Sequence, residues 1–261
     1  MSARDWAHIG RAEFERGLPD DTVAILPTAA IEQHGPHLPV GVDTLIMNGM
    51  LDRLRATCPD DLNVVILPVQ AVGKSNEHLD VPGTLTLDAA TALSSWTQIG
   101  LSIARAGVRR VALANSHGGN LDLVSILSRE LRVQAGMLAV KFQWGAFGTP
   151  PGMFSDREKS FGIHGGDYET SVMLHLHPDL VDMKSARDFV SAAESWDILP
   201  TGPISRGWMA SDLSDAGTVG EAHLATPEKG RKALEHQVEG ALSLLRQIAT
   251  TRIDAIAPCK G

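Results

Sequence analysis

The chain has 261 residues, 43% of them hydrophobic, with Lys+Arg 23 against Asp+Glu 31 and a formal net charge of −8. This length and apolar content support a packed core and exclude a disordered chain, while an acidic balance without a basic run argues against nucleic-acid or anionic-membrane partners. Cys58 and Cys259 are too few for a disulfide framework, residues 1–14 lack the apolar core of a secretory signal, and no apolar run approaches the ~18 residues of a membrane span, so a cytoplasmic globular protein is expected.

The first apolar run, 23–31, predicts a strand. Residues 43–55 predict a helix with Leu45, Ile46, Leu51 and Leu54 near one face. A second strand is expected over 64–72, then a helix over 88–106 with Asp88 as N-cap. The third strand is read at 109–115, a helix at 121–134 and a fourth strand at 137–144. Residues 145–166 are rich in Gly, Pro and Ser, as are 199–220, and loops this long are usually functional or contact other subunits. Between them lies a helix over 168–175, ended by Pro178. The last helix spans 227–249, with Thr226 as cap and Pro227 at its first position. The first three runs are nearly continuous in Val, Ile, Leu and Ala, the pattern of strands buried on both faces. Strands alternating with helices predict an α/β fold with helices covering a mostly parallel sheet. No repeat or domain boundary is visible, so residues 1–261 read as a single domain.

The chain carries ten histidines beside a single tyrosine. The first strand runs into Glu32-Gln33-His34-Gly35-Pro36-His37, with Asp43 at the start of the next helix. In open α/β sheets ligands sit beyond the carboxyl ends of strands. Glu32 and His34 are two apart, so an extended segment points both to one side. A polar turn would explain one histidine there, but not Glu-x-His with a second His and an Asp nearby. The third strand ends in Ser116-His117-Gly118-Gly119-Asn120, where the glycines let the backbone turn sharply or approach a ligand. A third cluster is His164-Gly165-Gly166-Asp167-Tyr168-Glu169-Thr170-Ser171. Capping explains Asp167 or Glu169 singly but not His164. A fourth, Gly73-Lys74-Ser75-Asn76-Glu77-His78, follows the second strand. Four loops thus deliver His34, His37, His78, His117 and His164 with carboxylates towards one end of one sheet. His, Asp and Glu without Cys form the ligand set of hydrolytic Zn, Mn or Fe sites, and a carboxylate such as Asp43 could bridge two ions. No Gly-x-Ser-x-Gly elbow supports a serine nucleophile, neither cysteine lies near a cluster, and the phosphate-loop pattern is missing. His8, His175, His177, His223 and His236 read as surface or helix-end residues.

At these residues the sequence resembles the creatininase (creatinine amidohydrolase) family, from Ile25 to about Leu245. The markers are residues 26–39, Asp43, Ser75-Asn76-Glu77-His78, Pro82-Gly83-Thr84, residues 115–120, Glu169-Thr170-Ser171, Gly217-Thr218-Val219-Gly220 and Ala225-Thr226-Pro227-Glu228-Lys229-Gly230. The resemblance implies a single three-layer α/β/α domain with a mainly parallel sheet, a two-metal hydrolytic centre, often Zn or Mn, and a homo-oligomer, commonly a hexamer. By position Glu32, His34, Asp43 and His117 match the family's metal ligands, with Asp43 bridging. In creatininases proper a further carboxylate ligand lies two residues after the His matching His117; here that position is Gly119, and Glu169 is the candidate replacement. His164 matches the family's proton-transfer His. The tryptophan that closes over creatinine is missing from residues 159–163, so creatinine itself is not the expected substrate.

The resulting expectation is a metal-dependent hydrolase of a small, polar, cyclic amide. Glu32, His34, Asp43, His117 and Glu169 would hold one or two divalent ions (Zn or Mn, with Fe as an alternative). His164 and Glu169 are the catalytic candidates. His37, Ser75, Glu77, His78, Gly118 and Gly119 would contact substrate or orient the ligands. Two rivals stand beside it: C–C hydrolysis of a cyclic β-diketone-like (oxidised cyclitol) substrate on the same site, and a non-catalytic metal-binding protein. Trp144, Trp196 and Trp208 lie in loop-rich stretches and read equally as pocket or packing residues.

Overall fold

Five parallel strands form one sheet in the order β1-β3-β2-β4-β5: β1 (Arg4–Asp5), β2 (Val23–Thr28), β3 (Val64–Ile66), β4 (Arg110–Asn115) and β5 (Leu138–Gln143). The structure is a computed structural model describing residues 3–253, so Cys259 lies outside the described residues. The helices are α1 (Arg11–Arg16), α2 (Val42–Thr57), α3 (Ala89–Arg105), α4 (Leu121–Ala135), α5 (Asp156–Phe161), α6 (Asp167–Leu176), α7 (Ala210–Leu213) and α8 (Pro227–Thr250). Among the described residues no helix is long and apolar enough to cross a membrane.

Alternation along the strands explains their continuous apolar runs. Val23 and Ile25 of β2, Val64 and Ile66 of β3, and Ala112 and Ala114 of β4 pack on one face with α2, α6 and α8. Ala24 and Leu26, Val65, and Val111 and Leu113 pack on the other with α3 and α4. Both faces are covered, so no strand position in β2 can be polar outwards. This gives three layers, as expected. The helix boundaries follow their capping residues: the Asp88 carboxylate accepts from the Thr91 amide (2.9 Å), and Thr226 Oγ1 accepts from the Lys229 amide (3.3 Å) ahead of Pro227. α6 and α8 approach so closely that a Cβ on Gly230 would overlap the Ser171 carbonyl.

Some expectations need correction. The second strand stops at Ile66, and the chain continues towards the site as an extended segment with a single bridge, Thr28 to Gln70. The two-residue edge strand β1 has no apolar run to betray it. The long loops are not structureless: 145–166 contains α5 and 199–220 contains α7.

Candidate metal centre

β2 and β4 pair in register from Val23 and Arg110 to Thr28 and Asn115, so their carboxyl ends lie side by side. The loop after β2 brings Glu32 and His34 to that edge, and Gly35 (φ 73°) turns the chain. Asp43 returns in the first turn of α2, His117 follows β4, and Glu169 stands in the first turn of α6. His164 reaches the same point through its bridge to Val219. Glu32, His34, Asp43, His117 and His164 are all buried, and Glu169 is partly buried.

Each central imidazole gives one N–H to a backbone carbonyl. His34 Nδ1 donates to Glu32 O (2.9 Å), His117 Nε2 to Lys74 O (3.0 Å) and His164 Nε2 to Gln33 O (2.7 Å). The opposite nitrogens, left as lone pairs, face carboxylates. His117 Nδ1 lies 3.3 Å from Glu32 Oε1 and 3.5 Å from Asp43 Oδ2. His34 Nε2 lies 4.0 Å from Asp43 Oδ2 and 3.8 Å from Glu169 Oε2, and His164 Nδ1 lies 3.6 Å from Glu32 Oε1. Acceptor facing acceptor is favourable only with a proton or cation between them. Accordingly, Glu32 Oε2, His34 Nε2 and Asp43 Oδ2 are buried without any hydrogen-bond partner. Three groups, Glu32/His34/His164, Glu32/Asp43/His117 and His34/Asp43/Glu169, each present donor atoms within 4.8 Å of one another.

The electrostatics carry the same demand. Burial raises Asp43 well above the ordinary carboxylate range, and the neighbouring Glu32 charge adds to this. Burial and the Glu32 charge act on Glu169 in the same direction. Burial would raise Glu32 too, but the His117, His164 and His78 imidazoles outweigh it and hold that carboxyl well below its usual range. Burial would lower His117, yet Glu32 and Asp43 push it up to about 10. Burial lowers His34, takes His164 to about 4 and takes His78 to about 3. Carboxylates that cannot all ionise unaided, beside His34, His78 and His164 kept neutral and a His117 that holds a proton in the absence of another cation, make a cation site.

The remaining expected residues take distinct places. His78 Nε2 points at Glu32 Oε1 (3.4 Å), and Gln33 Nε2 donates to His78 Nδ1 (2.9 Å). Ser75 Oγ lies 3.3 Å from His117 Nε2 and is fully buried, so it supports the His117 ring and does not reach the cavity. His37 is also set back: its Nε2 donates to Thr170 Oγ1 (2.9 Å) and its ring stacks on Phe189. Glu77 accepts from Lys74 Nζ (2.6 Å) beside Gly118 and Gly119. A cavity of about 440 Å³ opens onto the cluster, walled by Lys74, Glu77, Gly119, Arg206 and Trp208. Sequence reasoning assigned no role to Gln33, which ties His78 to the Gly217 carbonyl (2.5 Å), or to Arg206, whose guanidinium lies 4.0 Å over the Trp196 ring. The five other histidines lie at or near the surface as expected.

Residues 7–245 match the creatininase family, described as creatinine amidohydrolase. The chain is 31% identical over 253 residues to a creatinine amidohydrolase of Pseudomonas putida, covering 90% of this chain and 93% of that one. It is 32% identical over 237 residues to a mycofactocin precursor peptide peptidase of Mycobacterium ulcerans (87% and 86% covered), and 23% identical over 261 residues to a 3-dehydro-scyllo-inosose hydrolase of Thermotoga maritima (90% and 80%). Among solved structures, a putative creatinine amidohydrolase from Bacteroides fragilis superposes with TM-score 0.75 at 25% identity, covering 95% of this chain and 97% of that one. Creatininase in a Mn form (28% identity, 95% and 99% covered) and a creatininase mutant of Zn-Zn type (27%, 95% and 98%) each give TM-score 0.71.

Proposed function

The chain belongs to the creatininase family and is an amidohydrolase of that kind, and on this footing we propose that it is metal-dependent and cleaves the C–N bond of a small, polar, cyclic amide. One observation carries the reading: Glu32 Oε2, His34 Nε2 and Asp43 Oδ2 are unpartnered, buried and clustered. The donor set fits divalent ions of the Zn, Mn or Fe type, without a sulfur ligand. Glu32, Asp43 and His117 would hold one ion and His34, Asp43 and Glu169 a second, with Asp43 common to both and Glu169 in the role vacated at Gly119. Bound divalent ions supply a water of near-neutral pKa and polarise a carbonyl.

The chain's own groups do the rest. The backbone carbonyls of Glu32 and Lys74 fix the tautomers of His34 and His117, so their free nitrogens face the cluster. His164, anchored through Nε2 by Gln33 O, presents an unprotonated Nδ1 beside Glu32 Oε1, placed to take a proton from the attacking water and hand it to the leaving nitrogen. Lys74, Glu77, Arg206 and Trp208 bound the space in which a polar substrate is oriented. The same reading takes residues 1–261 as one catalytic domain working in the cytoplasm as a homo-oligomer, a hexamer by family likeness.

Metal analysis of purified protein is expected to find one or two divalent ions per chain; full activity of metal-free protein overturns the reading. Similarity to the inosose hydrolase favours a second possible bond, C–C. Product analysis separates the two: ammonia, an amine or a ureido nitrogen freed beside the new carboxylate marks C–N cleavage, and a new carboxylate with no nitrogen freed marks C–C cleavage.

A further inference from the structure

Two cavities meet at the candidate metal centre, and their polar atoms are in opposite states. The first holds the unpartnered oxygens of Glu32 and Asp43. The second, about 690 Å³, lies against the ends of β4 and β5 and is walled by Ile46, Trp144, Phe154, Ile163 and Tyr168. Gly118, Leu121, Ile163, Glu169 and Thr201 line both, so Glu169 stands at the junction.

Several polar groups around the second cavity are already paired within the protein. Ser116 Oγ donates to Asp43 O (2.9 Å), the Tyr168 hydroxyl to Gln237 Oε1 (2.7 Å) and Gln237 Nε2 to Gly148 O (3.2 Å). The Glu158 carboxylate accepts from the Tyr168 amide (3.2 Å) and the Glu221 amide (2.7 Å). An occupant of this space gains by removing apolar surface from water, since few unpaired donors or acceptors meet it. A small ring amide held at the first cavity would leave this second space unfilled.

We propose that the polar cyclic amide carries, next to the scissile carbonyl, an apolar group of aromatic size, with that group seated in the second cavity. The proposal rests on the amidohydrolase reading and specifies its substrate class. The reaction stays a simple hydrolysis. The C–N bond breaks, the hydroxyl of water goes to the carbonyl carbon and its proton to the nitrogen, giving a carboxylic acid and the freed nitrogen, an amine from a simple amide and a ureido group from a hydantoin. The reacting carbonyl lies at the Glu32–Asp43–Glu169 cluster, and the flank extends past Glu169 between Ile163 and Leu121.

The test compares hydantoin with 5-benzylhydantoin. With added Mn or Zn, kcat/KM for the benzyl compound is expected to exceed that for hydantoin by about tenfold to a hundredfold. T149W, which fills the second cavity, and L121W, which narrows the junction from the other side, should each reduce that ratio about tenfold. Independently of turnover, ligand-observed NMR on metal-free protein should show 5-benzylhydantoin binding that T149W abolishes. Hydrolysis of hydantoin without a benzyl advantage overturns the proposal and leaves the amidohydrolase reading standing. Binding abolished by T149W without hydrolysis of either compound supports the second cavity and counts against the reading of the centre. Binding unchanged in both variants overturns the proposal.

Discussion

The Glu77 carboxylate occupies the space into which a side chain at Gly119 would grow. A Cβ there would overlap Glu77 Oε1 and stand 2.5 Å from both His117 Nε2 and the Lys74 carbonyl. The position where creatininases proper carry a carboxylate is therefore not a gap. G119A should crowd His117, lowering metal content and reducing stability by about 1–3 kcal/mol, which metal analysis and a melting curve will read. The double variant E77A/G119A should recover part of the loss but not all, because the Lys74 carbonyl and the His117 ring remain. Full native stability in G119A alone would contradict this packing.

His117 and His164 should separate by phenotype. His117 Nδ1 is shared between Glu32 and Asp43, so H117A should lose bound metal and activity together. H164A should keep its metal while kcat falls about a hundredfold or more. Metal retained in H117A, or unchanged turnover in H164A, removes that residue from its assigned role.

Chelation should destabilise the fold. Burying Asp43 and Glu169 near Glu32 is unfavourable without a cation, and an ion that binds only the folded state adds about 2.7 kcal/mol at a hundredfold excess over its Kd. For a chain of this size that corresponds to a Tm difference of about 5–10 °C between chelated and metal-supplemented protein. Identical melting curves would count against a metal-holding cluster.

Glu158 gives a pH dependence away from the cluster. Burial raises its carboxyl to about 7 from 4.5, despite amide hydrogen bonds that lower it. The folded state thus holds this proton more tightly than the unfolded chain. Its stabilising contribution is fully present below about pH 4.5 and is lost as pH rises towards 7. The stability of wild type minus that of E158Q should therefore fall from pH 4.5 to 7 and then level off, measured by denaturant titration at each pH. A rise of that signed difference with pH would refute the assignment.

G230A should be among the costlier single changes outside the site. Its Cβ would overlap the Ser171 carbonyl where α8 crosses α6, a backbone contact that no side-chain rotation relieves. A loss of about 1–3 kcal/mol is expected. Because Glu169 rides on α6, activity should fall with it; a native melting curve would show that the helices can part at no cost.

The central strands were legible because burial on both faces confines polar residues to their ends, such as Thr28 and Asn115, and helix starts because Asp88 and Thr226 cap through their own side chains. The edge strand at Arg4–Asp5 was not, since two charged residues paired on one side carry no periodic signal. Most of the candidate site was legible because its residue types are costly to bury and sit at strand ends. Gln33 was missed for an instructive reason. Alternation turns it away from Glu32 and His34 and so towards solvent, yet its amide is buried against Gly217 and against His78 and His164, two histidines of the cluster itself. Arg206 and Glu158 come from loop-rich stretches whose path depends on tertiary packing, and nothing local announces them. His37 shares the motif of His34, yet the Gly35 turn sends it back to Thr170.

The donor atoms of the cluster hang from strand tips and first helical turns, whereas much of the surrounding wall belongs to residues 145–163 and 199–208. On the proposed reading, the groups that hold metal and the surfaces that select substrate thus lie in largely separate parts of the chain. Changes in the two loops would reshape the cavity wall without moving a donor atom.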